Sequence, residues 1–470
     1  MITLIKNGTL ITAAETFKAD VLMQDERILR ISPTIEADPD QVIDASGKLI
    51  MPGGVDPHVH LDLPMFDTVS SDDHYTGHKA AAFGGTTTAM DFVVLEDKGL
   101  AYSVDLWMKK AEKAAIDYSF HMNLTQFNEQ IAKEIPFLRK IGIQTLKVFT
   151  AYNGRFRLDD GSIFKALQIA RENGMLVMAH CENGDVIETL TAQALASGHR
   201  QPEWHALTRP AWGAVEATLR MAAMAEQADS PVYIVHMNVG GEVDMLKYAR
   251  ECGVKVMGET CPQYLFFTID DLRKPDGTKW ICSPPMRTQH DNARLWDGLS
   301  EGILQTVGTD HCPFFFDGTK PIDYEGTEIA IPGKELGKND FTKIPNGLPG
   351  IQDRMPVLWT TGVNTGKITA NQFVAYMSTN PAKIFGLYPR KGALLEGSDA
   401  DIVIWDPEKK VKYGVAQSHQ RTDYNLYEGW ELTGYPAKVF LRGKLIVDGT
   451  EWLGSRGDGR FLKRGEGTAI

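Results

Sequence analysis

The amino-acid sequence predicts an α/β protein, a (β/α)8 TIM-like barrel carrying a small β-sandwich domain built from both chain termini. Three observations predict it. Between residue 55 and about 385, short apolar runs alternate with stretches whose apolar residues recur at three- and four-residue spacing. Period-two alternation of apolar and polar residues fills the chain before that region and returns after it. Six residues able to hold metal stand at the ends of apolar runs, where a parallel barrel gathers side chains at one mouth.

The first 52 residues contain ITLIKNG, ADVLMQDERILRIS and QVIDASGKLI, with turn signals at Asn7-Gly8 and Ser46-Gly47. This pattern predicts a small antiparallel sheet with hairpins where those turns fall. The opening MITLIKNGTLI lacks a basic segment followed by a long apolar one, so it reads as a strand rather than a secretory signal. MPGG at 51–54 breaks the alternation and opens the first barrel strand.

The barrel strands are expected in GGVDPHVH, TTTAMDFV, DYSFHMNL, TLKVF, MLVMAH, PVYIVH, VKVMGE and LQTVGTD. Between them, SVDLWMKKAEKAA, SIFKALQIARENG and GAVEATLRMAAMAEQA read as helices, the second stopped by its glycine. Repeated strand–helix units imply a parallel sheet, and eight of them a closed barrel. Residues 262–298 and the Gly/Pro-rich 313–350 interrupt the alternation. The second stretch follows Asp310 with aromatic residues and proline, which favours a substrate-contacting loop. GALLEGSDADIVIWD and PAKVFLRGKLIVDG then restore the strand pattern and would pair with the N-terminal strands. The domains expected are therefore 1–52 with 390–450, a barrel over 53–389, and a C-terminal arm over 451–470. The arm, rich in glycine and charge, reads as exposed.

Composition bounds the function. At 470 residues, 43% apolar and 23% charged, the chain has ordinary globular proportions, and no apolar run reaches membrane-spanning length. A net charge of -12 with no basic stripe argues against a nucleic-acid partner. Five cysteines without CxxC spacing favour reduced thiols and a cytoplasmic setting. Cys181 and Cys312 flank the expected site and read as small packed residues.

The six candidate ligands are His58, His60, Lys147, His180, His236 and Asp310. The HxH of VDPHVH puts two imidazoles on one face of a strand. Four imidazoles, a carboxylate and a lysine gathered at one mouth suit a pair of divalent metals. Lys147 is costly as a buried ammonium; carbamylated by carbon dioxide, it becomes a carboxylate suited to bridging two metals. His311 should face the other side of its strand and support by hydrogen bonding, and His121 could also support from within. His74, His78, His199, His205, His290 and His419 read as surface or packing residues.

GGVDPHVHLDLP, AAAFGGTTTAMDF, LKVFTAY, AHCENGD, GETCPQYL with CSPPMR, GTDHCPF and DFTKIPNGLPG together resemble the cyclic amidohydrolases, in their dihydropyrimidinase/hydantoinase branch. The resemblance runs nearly end to end. It implies a hydrolase that opens 5,6-dihydropyrimidines or 5-substituted hydantoins to N-carbamoyl amino acids. It implies that His58, His60 and Asp310 hold the more buried metal, usually zinc, and His180 and His236 the second. Carboxylated Lys147 and a hydroxide would bridge them. Asp310 would carry the proton from the hydroxide to the leaving nitrogen, and Tyr152 would stabilise the oxyanion. Ser283 and Asn346 would hold the ring, largely through their backbone; Leu63, Met65, Phe149 and Phe156 would surround the exocyclic substituent. A homotetramer is the family's usual assembly.

The sequence departs from the family pattern in LPMFDT, where Phe66 and Asp67 would narrow or polarise the entrance, and at Gln352, where an acid is common. Dihydroorotase typically has Arg two residues after its HxH, where this chain has Asp62. An allantoinase-like ureide hydrolase is the alternative within the class. From another class, a non-catalytic scaffold like the collapsin response mediator proteins would have lost metal ligands, all six of which stand here.

Overall fold

The computed structural model describes every residue except Phe66, Ala469 and Ile470. Eight parallel strands form the barrel, in chain order Gly54–Val59, Thr86–Val94, Asp117–Asn123, Thr145–Phe149, Leu176–His180, Val232–Ile234, Val256–Thr260 and Thr306–Val307. Each pairs with the next, and all but a few of their residues are buried, as strands covered on both faces require. A parallel bridge from Val59 to His311, and the His60 N–H donated to His311 O at 2.7 Å, join the last strand's extension to the first.

The expected helices fall at Leu100–Lys110, Asp160–Glu172 and Ala211–Gln227. Inside the stretch read as an interruption, Gln289–Ser300 is a helix. Thr288 caps it, and Asp291 completes a capping box by accepting from the Thr288 N–H. In the 313–350 loop, Phe314 and Phe315 are fully buried packing residues, and a short hairpin (Ile322–Tyr324 with Thr327–Ile329) stands farther along.

Both termini build the β-sandwich domain, whose nine strands share one hydrogen-bonded sheet around a core that includes Ile5, Val21, Ile50, Ile402 and Phe440. Its N-terminal part is mixed rather than antiparallel. Ile2–Ile11 runs antiparallel to Thr16–Gln24 but parallel to Gln41–Asp44 and to Leu49–Pro52. Asn7-Gly8 is accordingly a bulge inside a ten-residue strand, not a hairpin: Asn7 adopts φ +63° and the register shifts between Ile5 and Gly8. Asparagine tolerates that left-handed conformation, and its N–H finds Asp20 Oδ1 at 3.0 Å, so the signal served a bulge instead. Ser46-Gly47 does turn the chain, but between two strands that both pair with Ile2–Ile11.

Most described residues of the C-terminal arm are exposed, as expected, but the arm is anchored. It lies against the barrel, with Tyr118 N–H donating to Arg460 O at 3.0 Å and Leu462 N–H to Tyr118 O at 2.7 Å. Leu462 is fully buried, and the buried Arg464 guanidinium reaches Phe120 O and Thr145 Oγ1. One leucine and one arginine dock the otherwise exposed, polar segment.

Where barrel and sandwich meet, Lys391 is fully buried among Asp117 (2.6 Å), Asp401 (2.7 Å) and Asp399 (3.0 Å). Burial opposes its charge, yet the three carboxylates outweigh that and raise its pKa to about 12. Removing the ammonium would strand carboxylates in a dry interior. Lys391→Met is therefore expected to lower unfolding free energy by about 3–5 kcal/mol, measured by urea denaturation.

Candidate metal-dependent active site

Every one of the six candidate ligands reaches the same cavity at the C-terminal ends of the barrel strands. His58 lies in the first strand and His60 just past it, two residues apart and so on one side. Their Nε2 atoms converge on Asp310 Oδ1, at 3.2 Å and 3.1 Å. Opposite them, His180 Nδ1 faces His236 Nε2 at 3.0 Å. His58, His236 and Asp310 offer donor atoms that all lie within 4.8 Å of one another. Besides His60, two more of the six sit beyond their strands: His236 (φ +40°) follows Val232–Ile234 by two residues and Asp310 (φ +52°) follows Thr306–Val307 by three.

Lys147 is buried between the rings of Phe92 and Phe149, each centroid 5.2 Å from Nζ, with no hydrogen-bond or ion-pair partner among the described residues. Burial lowers its pKa to about 8 against the opposing pull of Asp310 and Glu259. Burial also holds His180 and His236 below the usual imidazole range. For His58 burial is outweighed by Glu259 and Asp310, which raise it to about 9. Burial would raise Asp310, but His58 and the hydrogen bonds from both histidines hold it well below the usual carboxylate range. Nitrogen and carboxylate donors converging from several strands, with a lysine left unpaired beside them, fit divalent cations in kind and in placement.

Tyr152, Ser283 and Asn346 line the cavity, as do Leu63, Met65, Phe149 and Phe156. Burial raises the Tyr152 hydroxyl's pKa, so it stays a proton donor. Asn123 and Arg155, not singled out from sequence, line it too, as does Cys312, read from sequence as a packed residue flanking the site. Of the long 313–350 loop, Asn346 supplies the wall, and Cys312 stands just before its start. Asp67 is exposed outside the lining, and Phe66 lies outside the described residues.

Supporting residues are where reading the sequence fell short. Glu259 Oε1 holds His58 Nδ1 at 2.7 Å and accepts the His236 N–H at 3.1 Å, while its Oε2 accepts from Tyr233 at 2.9 Å. Glu182 Oε2 meets His180 Nε2 at 2.9 Å. Burial opposes the Glu182 charge, but His180 and Arg209 outweigh it and lower its pKa to about 2. From Glu182 a buried chain continues: Arg209 Nε at 3.7 Å, then Arg209 Nη1 to His205 Nδ1 at 3.3 Å. His205 Nε2 ends it at Cys282 O, 2.8 Å away. His205, read as a surface or packing residue, thus props the segment that carries Ser283. His74 and His78 are buried as well, His74 Nε2 lying 3.2 Å from Asp91 Oδ2. His311 does take a supporting place, between Asp72 Oδ2 at 3.1 Å and the Gly350 N–H at 3.1 Å, and His121 meets Pro57 O at 3.0 Å. A carboxylate two residues after His180, and another near the end of VKVMGET, were the available signals.

Glu259 fixes two of the candidate ligands at once. Glu259→Ala is expected to weaken divalent-metal binding about 10- to 100-fold, read with zinc as the probe by equilibrium dialysis against a competing chelator.

Residues 49–446 match the amidohydrolase family. A D-hydantoinase of Geobacillus stearothermophilus is 44% identical over 476 residues, covering 100% of this chain and 98% of that protein. A D-hydantoinase of Streptomyces coelicolor is 42% identical, with 98% of each covered. The crystal structure of a dihydropyrimidinase from Brevibacillus agri superposes with a TM-score of 0.95 at 45% identity, over 100% of both chains.

Proposed function

The chain belongs to the amidohydrolase family, and from that premise we propose that it is a binuclear metal-dependent hydrolase opening the ring amide of 5-substituted hydantoins and 5,6-dihydropyrimidines. Water adds across the ring C–N bond, hydroxide to the carbonyl carbon and a proton to nitrogen, leaving an N-carbamoyl amino acid. The observation that carries the reading is the pair of donor groups facing each other in one cavity: His58 and His60 on Asp310 at 3.2 and 3.1 Å, His180 on His236 at 3.0 Å.

His58, His60 and Asp310 would hold one zinc ion, His180 and His236 the other, with carboxylated Lys147 between them. Its isolation and its pKa of about 8 favour that modification, because a neutral amine attacks carbon dioxide, forming an N–C bond and releasing one N–H proton to solvent. Bound metal supplies acidified water and a polarised carbonyl. Asp310 takes the hydroxide proton and gives it to the departing ring nitrogen. Tyr152 donates its hydroxyl hydrogen bond to the developing oxyanion. The backbone at Ser283 and Asn346 aligns the planar ring, and Leu63, Met65, Phe149 and Phe156 enclose the exocyclic substituent.

The same reading makes the chain a cytoplasmic homotetramer, its five cysteines being unpaired. It divides the chain into a barrel over 53–389 and a sandwich from 1–52 with 390–450; the sandwich sheet includes Leu49–Pro52 and resumes at Ile402. No helix among the described residues is long and apolar enough to cross a membrane.

Metal content per chain, measured beside hydrolysis of dihydrouracil and of 5-substituted hydantoins, tests the proposal; a metallated chain opening none of these rings overturns it. Lys147→Ala is expected to abolish turnover and empty at least one metal site, measured by elemental analysis; a fully metallated, active variant would remove the bridging role. Asp310→Asn should keep most of the metal and lose turnover by about 10²- to 10⁴-fold. Unchanged turnover would remove Asp310 as proton carrier.

A further inference from the structure

Segment 281–285 is held by an unusual density of buried donors. Ile281 O accepts from Lys334 Nζ at 2.9 Å and from Gly347 N–H at 3.1 Å. Cys282 O accepts from His205 at 2.8 Å, Pro284 O from the Tyr264 hydroxyl at 2.7 Å, and Pro285 O from Asn238 Nδ2 at 2.5 Å. Of these five consecutive carbonyls, Ser283 O alone has no partner among the described residues, and Ser283 lines the cavity. Backbone carbonyls demand partners when buried, so a carbonyl kept free beside a cavity is available to a ligand N–H.

Lys334 reaches further than the others. Its Nζ also donates to Pro345 O at 3.2 Å, one residue before Asn346, which lines the same cavity as Ser283. The side chain is fully buried and no carboxylate lies in ion-pair range among the described residues. Burial lowers its pKa to about 7, so the ammonium and the neutral amine lie close in free energy near neutral pH. A neutral amine still has two N–H donors, matching the two carbonyls it meets. A buried lysine is costly, and here its visible return is a tie between two backbone segments.

We propose that Lys334 is a positioning residue: it clamps 281–285 to 345–347 and so fixes the spacing between the Ser283 and Asn346 backbone that receives the substrate ring. It touches neither metal donors nor the reacting amide. Its loss should therefore act on ring binding and leave the metal centre intact. The kinetic arm of this inference rests on the hydrolase reading; the exchange arm does not.

The test compares the purified, metal-loaded wild type with Lys334→Met. On hydantoin and dihydrouracil, KM is expected to rise about tenfold or more while kcat stays within about threefold, the mark of lost uniform binding. Metal content should match the wild type. Hydrogen exchange followed by mass spectrometry should quicken in peptides covering 281–287 and 344–350, the Gly347 amide included. Peptides over Thr145–Phe149 and Leu176–His180 should keep wild-type rates. Wild-type KM together with wild-type exchange would overturn the clamp, as would equal quickening throughout the barrel. Should Lys334→Met fail to fold, Lys334→Gln, which keeps an amide donor, is measured in the same way and should show the same KM rise and local quickening to a smaller degree; wild-type values in both would overturn the clamp. If the wild type opens neither ring, the hydrolase reading fails, and local exchange at the two segments alone decides the clamp.

Discussion

The mouth of the barrel depends on the seam where its last strand meets its first. The eighth strand is only two residues long, so backbone pairing alone could not place Thr309 and Asp310 beyond it. Side chains complete the closure. Asp56 accepts the Thr309 N–H at 3.2 Å and its hydroxyl at 2.7 Å, and Arg354, fully buried, donates to Val55 O and Val307 O at 3.0 Å each. The His60 N–H to His311 O bond then sets the two chain segments side by side. Asp310 can meet His58 and His60 only because that seam is shut. Buried charged groups bridging the join are exacting, since removing a partner leaves a buried group without compensation.

From that seam outward, the site is organised by carboxylates behind imidazoles. Glu259 stands behind His58, Glu182 behind His180, and Asp72 behind His311. At His58 and His180 the carboxylate fixes the ring's rotation and tautomer from the side away from the cavity, and so decides which nitrogen faces inward. The buried charges continue into neighbouring walls: Glu182 leads through Arg209 and His205 to the Cys282 carbonyl. The candidate metal donors and the segment that carries Ser283 therefore share one polar scaffold, although they come from different parts of the chain.

Strand order and the metal-donor candidates were legible in the sequence because each rests on a short local pattern, whereas Tyr152, Ser283, Asn346 and the apolar lining came only through the family resemblance. HVH declares its own geometry, and apolar runs ending in His, Lys or Asp declare a mouth. The features that were not legible depended on partners distant in the chain. Asn7-Gly8 has the same letters in a bulge as in a hairpin, and pairing with Gln41–Asp44 and Leu49–Pro52 decided between them. The arm looked solvated because Leu462 and Arg464 are a minority in a polar segment, yet those two dock it. His205 and Lys334 gave no pattern at all, since their roles are set by carbonyls 77 and 53 residues away.

The backbone itself bears the cost of aiming these groups. Nine non-glycine residues have left-handed φ among those described, and four of them, Asp62, Tyr152, His236 and Asp310, stand in or beside the cavity. Such conformations cost roughly 1–3 kcal/mol each and persist only where surroundings over-determine them. At Tyr152 that determination is visible: its carbonyl accepts from Arg155, Phe156 and Arg157 N–H at 3.0, 3.1 and 3.2 Å, folding the loop under the side chain. At Asp310 it comes from the flanking Thr309 and His311, each tied to the first strand or its extension. A strand that simply continued would alternate its side chains between the two faces of the barrel wall. Turning out early, with the turn held by neighbouring hydrogen bonds, lets His236 and Asp310 bring their donors to points that strand geometry alone would not reach.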